Sequence, residues 1–229
     1  FGEKLNYNNS SDECACICPP QNSGLDIFSF LSYSCYSVHA VMITNEGKAL
    51  ALGYNEDCRI LKSLPHQLFK VTKEIIFQDQ SNHPIKFLSA VCGYPYTLYL
   101  ISGKNEKKNQ LAYTHRNIDP NPRFLNIGDH NPLKLFGGFQ TSSVINSDGS
   151  IFIITESIFK NPTTKIQASF LPEGEKAVKV ACCDKYVIVL GSSGRIFEST
   201  SDITDANKIE FKLITEIKAD LTFVDIAGT

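Results

Sequence analysis

CYSVHAVMITNEGKALALGYN, residues 35–55, consists of two strand-like runs joined by a turn. HAVMIT (39–44) is apolar between His39 and Thr44. NEGK (45–48) follows, and Gly47 supplies the positive φ that a tight turn requires. KALALG (48–53) then returns as a second apolar run. Two short β-type runs around a glycine turn are the signature of a β-hairpin.

The same pattern recurs along the chain. Just before the first hairpin stands LSYSC (31–35), and LSAVC (88–92), LKLFG (133–137), VKVAC (178–182) and VDIAG (224–228) align with it without gaps. Each opens on an aliphatic residue and closes on Cys or Gly. The closing positions are 35, 92, 137, 182 and 228, giving spacings of 57, 45, 45 and 46. Further apolar runs follow at YTLYLI (96–101), TSSVIN (141–146) and YVIVLG (186–191). Two of these three reach glycine turns, SDGS with Gly149 and SSGR with Gly194, before second runs SIFIIT (150–155) and RIFEST (195–200). Gly47, Gly149 and Gly194 each lie 12 residues after Cys35, Gly137 and Cys182 respectively. The second unit instead carries SGKNEKKNQ (102–110) before LAYT (111–114), which accounts for most of its extra length.

A lone hairpin cannot bury both faces, so units of about 45 residues must stack on one another. The expected fold is all-β: blades of antiparallel strands forming a partial ring of about four repeats, with little helix. The expected organisation is a single repeat domain over 1–229, truncated at both ends. Its repeats span about 31–87, 88–132, 133–177 and 178–223, and 224–229 starts a fifth. A solenoid of stacked hairpins and a non-repetitive β-sandwich are the alternatives.

The first unit resembles the repeat of the regulator of chromosome condensation family: Cys-Gly-x-x-His, a short strand ending in Leu-Thr, x-x-Gly, an alternating strand, then Trp-Gly-x-Asn. Cys35, His39, Ile43-Thr44, Gly47 and Gly53-x-Asn55 fall on matching positions. The second unit keeps Cys92-Gly93, the third Asp148-Gly149, and the fourth Cys182 and Gly194. Tyr96, Thr141 and Tyr186 replace the His, Leu52 stands where Trp is usual, and EDCRIL (56–61) replaces Gly-Gln-Leu-Gly. The resemblance implies a divergent propeller cut from a ring of about seven four-stranded blades, with Phe1-Gly2 as the end of an earlier repeat. It also implies that His39 is scaffold, bonded inside its blade.

Composition narrows the functional classes. Lys and Arg total 22 against 24 acidic residues, a net charge of -2, so no basic footprint for nucleic acid is evident. The basic cluster within GKNEKK (103–108) reads as a solvated loop tip. No apolar run approaches the roughly 18 residues of a membrane span; residues 178–190 are broken by Lys179, Asp184 and Lys185. No leader pattern follows Phe1. Eight cysteines (Cys14, Cys16, Cys18, Cys35, Cys58, Cys92, Cys182 and Cys183) are read mainly as small buried hydrophobes in a reducing compartment. That places the protein inside the cell, in cytoplasm or nucleus. The overlapping sequons at Asn8 and Asn9 are the one feature that fits secretion.

No catalytic, cofactor-binding or metal-ligating residue is assigned, and no cofactor is expected. Cys14, Cys16 and Cys18 alternate before Pro19-Pro20; three thiolates suit a soft metal, but zinc favours Cys-x-x-Cys spacing and a fourth ligand. Cys182 and Cys183 would point to opposite strand faces. Nucleophile-elbow, phosphate-loop and His-Glu-x-x-His patterns do not occur. The variable stretches are 55–83, 115–131, 156–175 and 201–209, and loops on a rigid scaffold are where binding concentrates. The expected role is a non-catalytic protein-interaction scaffold with a protein partner. The resemblance adds two alternatives: guanine-nucleotide exchange on a small Ran-like GTPase, or substrate recruitment for a ubiquitin ligase or kinase.

Overall fold

A computed structural model of the chain describes residues 30–36, 39–55, 67–77, 84–94, 96–103, 108–115, 122–138, 140–183, 185–200, 203, 209–214 and 223–227. Cys14, Cys16, Cys18 and Cys58 lie outside these residues, as does most of the GKNEKK tip.

The described strands form four antiparallel sheets, each from consecutive segments. Sheet one holds β1 (Phe30–Tyr36), β2 (His39–Thr44), β3 (Ala49–Asn55) and β4 (Gln67–Ile75) in that order. Sheet two holds β5 (Phe87–Cys92), β6 (Tyr96–Ile101), β7 (Gln110–His115) and the two-residue β8 (Arg123–Phe124). Sheet three holds β9 (Pro132–Gly137), β10 (Ser142–Asn146) and β11 (Ile151–Ile154). Sheet four holds β12 (Ala177–Cys182), β13 (Val187–Gly191), β14 (Ile196–Ser199) and β15 (Phe211–Leu213). The stretch read as variable between residues 55 and 83 thus contains a strand, β4. In sheet three the chain instead turns into helix α1 (Glu156–Lys160), and only a bridge between Ile151 and Ser169 continues the sheet.

The sheets pack face to face through their first strands: β1 against β5, β5 against β9, and β9 against β12. Among the described strands no comparable packing joins sheet four to sheet one. The result is an arc of four propeller blades. Burial on both faces explains why HAVMIT and YTLYLI are continuously apolar rather than alternating; every residue of β2 and β6 is buried. Three cores fill the arc. Val41, Ile43, Phe77, Phe87 and Tyr99 lie between sheets one and two. Leu98, Leu111, Tyr113, Val144 and Phe152 lie between two and three. Ile145, Ile153, Val180, Val189 and Phe197 lie between three and four. In the second core α1 inserts Phe159 beside Tyr96 and Tyr113, with ring centroids 4.5 and 4.6 Å away.

The repeat also fixes backbone detail. Every first strand carries a one-residue register break, at Leu31, Leu88, Leu133 and Val178. These are the aliphatic residues that open the aligned segments. A β-bulge at one position in all four blades bends and twists each first strand alike. The turn glycines match as closely: φ is 82° at Gly47, 85° at Gly149 and 82° at Gly194.

Candidate functional site

The polar residues singled out in the sequence are placed by the strand ends where neighbouring blades meet. His39 opens β2, and its Nε2 lies 2.9 Å from Thr97 Oγ1 in β6 of the next blade. Tyr96, four residues after Cys92 as His39 is after Cys35, makes the corresponding contact: its hydroxyl lies 2.7 Å from Ser142 Oγ in blade three. This His39 bond thus ties two neighbouring blades together. Replacing His by Tyr preserves a polar tip that reaches the same hydroxyl one blade on. At the third junction the series changes. Thr141 is too short and the facing residue is Val187, so the thiol of Cys182 donates backwards to Ser143 Oγ at 3.3 Å.

These groups are locked out of chemistry by burial. Desolvation pushes the Tyr96 hydroxyl far above its ordinary range, outweighing the Ser142 bond that opposes it. Burial likewise pushes the Cys182 thiol up to about 12. A thiol protonated at neutral pH is a hydrogen-bond donor, not a nucleophile. Cys183 does not share that position: it follows the end of β12, is partly exposed, and its N–H donates to Tyr186 O at 3.0 Å.

A His–Asp–Ser group is present on the turn of blade three. His130 Nδ1 lies 3.2 Å from Asp148 Oδ2, and Ser150 donates its hydroxyl to Asp148 Oδ1 at 2.6 Å. The carboxylate stands in the middle. In a hydrolytic triad the imidazole must stand between acid and serine to take the serine proton. Burial alone would raise the Asp148 pKa, but hydrogen bonds from Ser150 and the nearby His130 hold it low. The group fixes the turn: Ser150 N–H also donates to Asp148 Oδ1 at 2.9 Å.

Blade four fixes its turn with an ion pair. Glu175, whose side chain is 6% exposed, accepts from Arg195 Nη2 at 2.9 Å, Ser192 Oγ at 2.9 Å and Ser193 N at 3.2 Å. The Ser193 hydroxyl first, then Arg195 and Ser192, and last the Ser193 N–H, lower its pKa to about 2 despite desolvation. All these charges are satisfied internally. Among the described residues no group of three or more His, Cys, Asp or Glu side chains could hold a metal.

A few large apolar side chains face outward. Phe170 is 57% exposed and forms, with Pro172, Ile209, Glu210 and Phe211, a groove of about 240 Å³ where blades three and four adjoin. Residues 169–174 belong to the long connection that replaces a fourth strand in blade three. A second hollow of about 200 Å³ lies under α1, lined by Ser157, Asn161, Lys165 and Gln167 among others. The sequence flagged 156–175 only as variable; nothing in its residue types announced either hollow. No helix among the described residues is long and apolar enough to cross a membrane.

No family model matches the sequence, and no curated protein matches it. Solved structures do. Human WBSCR16 superimposes with a TM-score of 0.62 at 10% identity, over 81% of this chain and 54% of that one. Prp20p of Saccharomyces cerevisiae, described with its binding to Gsp1p and histones, superimposes with a TM-score of 0.60 at 10% identity, over 87% of this chain and 53% of that one. The chain spans about half the length of each. At such identity the likeness is one of fold. With the four-blade arc, the common bulge and the shared glycine turns, it makes this chain a divergent propeller like those of the regulator of chromosome condensation family.

Proposed function

We propose that the chain is a non-catalytic protein-interaction scaffold. The observation that carries this reading is the contrast between its polar and apolar groups. His39, Tyr96, Cys182, Asp148 and Glu175 are engaged in holding blades and turns, while the groove leaves the large apolar side chain of Phe170 to solvent. Exposed apolar patches on soluble domains mark interaction sites more often than chemistry. The test is quantitative affinity capture with the wild-type chain and a Phe170→Glu variant of unchanged melting temperature. The reading requires a protein partner retained by the wild type and lost by the variant. Equal capture by both would remove the groove from the account, and failure of either to capture any protein would end the scaffold reading.

The second reading is guanine-nucleotide exchange on a small Ran-like GTPase. The likeness to Prp20p favours it over other activities, although fold does not carry function. Nucleotide release from a panel of such GTPases, with and without the chain, separates the two readings. The scaffold reading expects no acceleration.

A further inference from the structure

The outer edge of blade four carries main-chain groups that are left open among the described residues. β15 pairs with β14 through Phe197 with Leu213, Glu198 with Lys212 and Ser199 with Phe211. Just beyond these pairs, Thr200 N donates to Glu210 O at 2.9 Å and Ile214 N donates to Ile196 O at 3.0 Å. In an antiparallel ladder the direction of the main-chain groups alternates from residue to residue. Glu210, Lys212 and Ile214 therefore turn their N–H and C=O groups towards β14, while Ile209, Phe211 and Leu213 turn theirs the other way. Ile209 is already served on that side, because its N–H donates to Ser169 Oγ at 3.0 Å. Among the described residues the main-chain groups of Phe211 and Leu213 find no such partner.

This edge borders the groove at the adjoining blades. Ile209, Glu210 and Phe211 line one side of the groove, and Phe170 and Pro172 line the other. At about 240 Å³ it falls below the roughly 300–1,000 Å³ of a small-molecule pocket and suits single side chains. The side chain of Phe211 belongs to the core between blades three and four. Glu210 and Lys212, on either side of it in the strand, are exposed on the opposite face. Lys212 is paired with Glu198 at 3.0 Å. Glu210 has no ion-pair partner among the described residues, so the rim carries one uncompensated negative charge.

Resting on the scaffold reading and naming the partner that the groove takes, we infer that β15 receives an extended peptide segment of a protein partner as an added strand. Phe211 and Leu213 supply the main-chain bonds that give such a strand its affinity. Alternation along the strand sets the sequence it prefers. One large apolar side chain enters the groove against Phe170, and a neighbouring Lys or Arg, pointing to the other face, meets Glu210.

The probe is a set of random peptides displayed on phage and selected against the 229-residue chain. Peptides so recovered should carry an apolar residue beside Lys or Arg. Their affinities are then read by fluorescence anisotropy. Methylating one peptide N–H at a time should weaken binding about three- to tenfold at every second residue, the scale of one main-chain hydrogen bond, and little in between. Phe170→Glu should weaken it at least about fivefold. Glu210→Lys should weaken it about two- to fivefold, and a peptide with Glu in place of its basic residue should recover that loss. Both variants must keep the wild-type melting temperature. Recovery of no peptide, N-methyl losses without alternation, or equal binding by Phe170→Glu would each overturn the proposal. Sedimentation of the chain as a dimer that Phe170→Glu breaks would also overturn it, by giving the edge to a second copy. The two readings fail separately. A captured protein that depends on Phe170 but binds through a segment indifferent to N-methylation leaves the scaffold and removes the added strand. Capture of no protein removes the scaffold, while the peptide titration still judges the edge.

Discussion

The junction between blades three and four and the junction between blades two and three solve one problem with different chemistry. At the first, a four-residue turn places Gly149 at φ 85°, and its carbonyl receives the N–H of Ala177. At the second, the residue equivalent to Ala177 is Pro132, which has no N–H to give. There the short glycine turn is absent as well. A longer turn brings in Asn109, whose side-chain amide donates to Pro132 O at 2.9 Å and whose N–H donates to Asn131 Oδ1 at 2.8 Å. Lys108 Nζ adds a bond to Gly128 O at 2.6 Å. The direction of the main bond is reversed: the blade ahead accepts instead of donating. The repeat conserves a connection between turn and next blade, not a particular residue.

The sharpest way to break this comparison is Gly149→Ala. A left-handed φ costs a non-glycine residue on the order of 1–3 kcal/mol. In addition, a Cβ at 149 would sit 2.7 Å from Lys176 Cβ and 3.1 Å from its Cα, atoms that cannot swing away. Denaturant unfolding should show a loss of about 2–4 kcal/mol, strain and crowding together. Gly47→Ala should cost less. Its nearest obstacle is Lys86 Cγ, part of a flexible side chain that can move. Equal losses at the two glycines would show that φ alone sets the cost.

The next effect isolates the side-chain staple. Tyr96→Phe keeps the buried ring against Phe159 but leaves Ser142, itself fully buried, without that partner. A buried group so deprived costs about 1–3 kcal/mol. Tyr96→Phe combined with Ser142→Ala should recover part of it, and strict additivity in that double-mutant cycle would refute the coupling.

How much of this was legible follows from distance along the chain. The hairpins were readable because their period, their glycine offset of 12 and their closing Cys or Gly are local patterns. The bulges were not: the aliphatic residues at 31, 88, 133 and 178 were visible, but an extra residue in a strand looks like any other until its partner is known. β4 was hidden by its place in a long divergent stretch. Helix α1, at five residues, is too short for a 3.6-residue period to register. His39 was recognised as scaffold, yet its acceptor is 58 residues away and no local pattern names Thr97. The exposed groove escaped because Phe170 and Phe211 are brought together only by the packing of blades three and four.

Asn109→Ala probes the second blade's substitute junction. It deletes the amide bond to Pro132 O but leaves the backbone bond to Asn131. The expected loss is about 1 kcal/mol, smaller than at Gly149 because no strain is introduced. If unfolding shows no change, the reversed bond to Pro132 is incidental to holding blades two and three together.

Glu175→Gln removes charge without introducing strain. The amide oxygen can still accept from Ser192 and Ser193, so what is lost at neutral pH is the ion pair with Arg195. Acid separates the two proteins. Glu175 holds its carboxyl at about 2 in the folded chain against an ordinary value of 4.5. Between those values the unfolded chain binds the proton and the folded chain does not, so stability falls as pH falls. The contribution is complete above about 4.5 and gone below about 2. Wild-type stability should therefore drop more steeply than that of Glu175→Gln across this window, and the two curves should converge at its acid end. Parallel curves would mean that the turn of blade four is held by its backbone and not by charge.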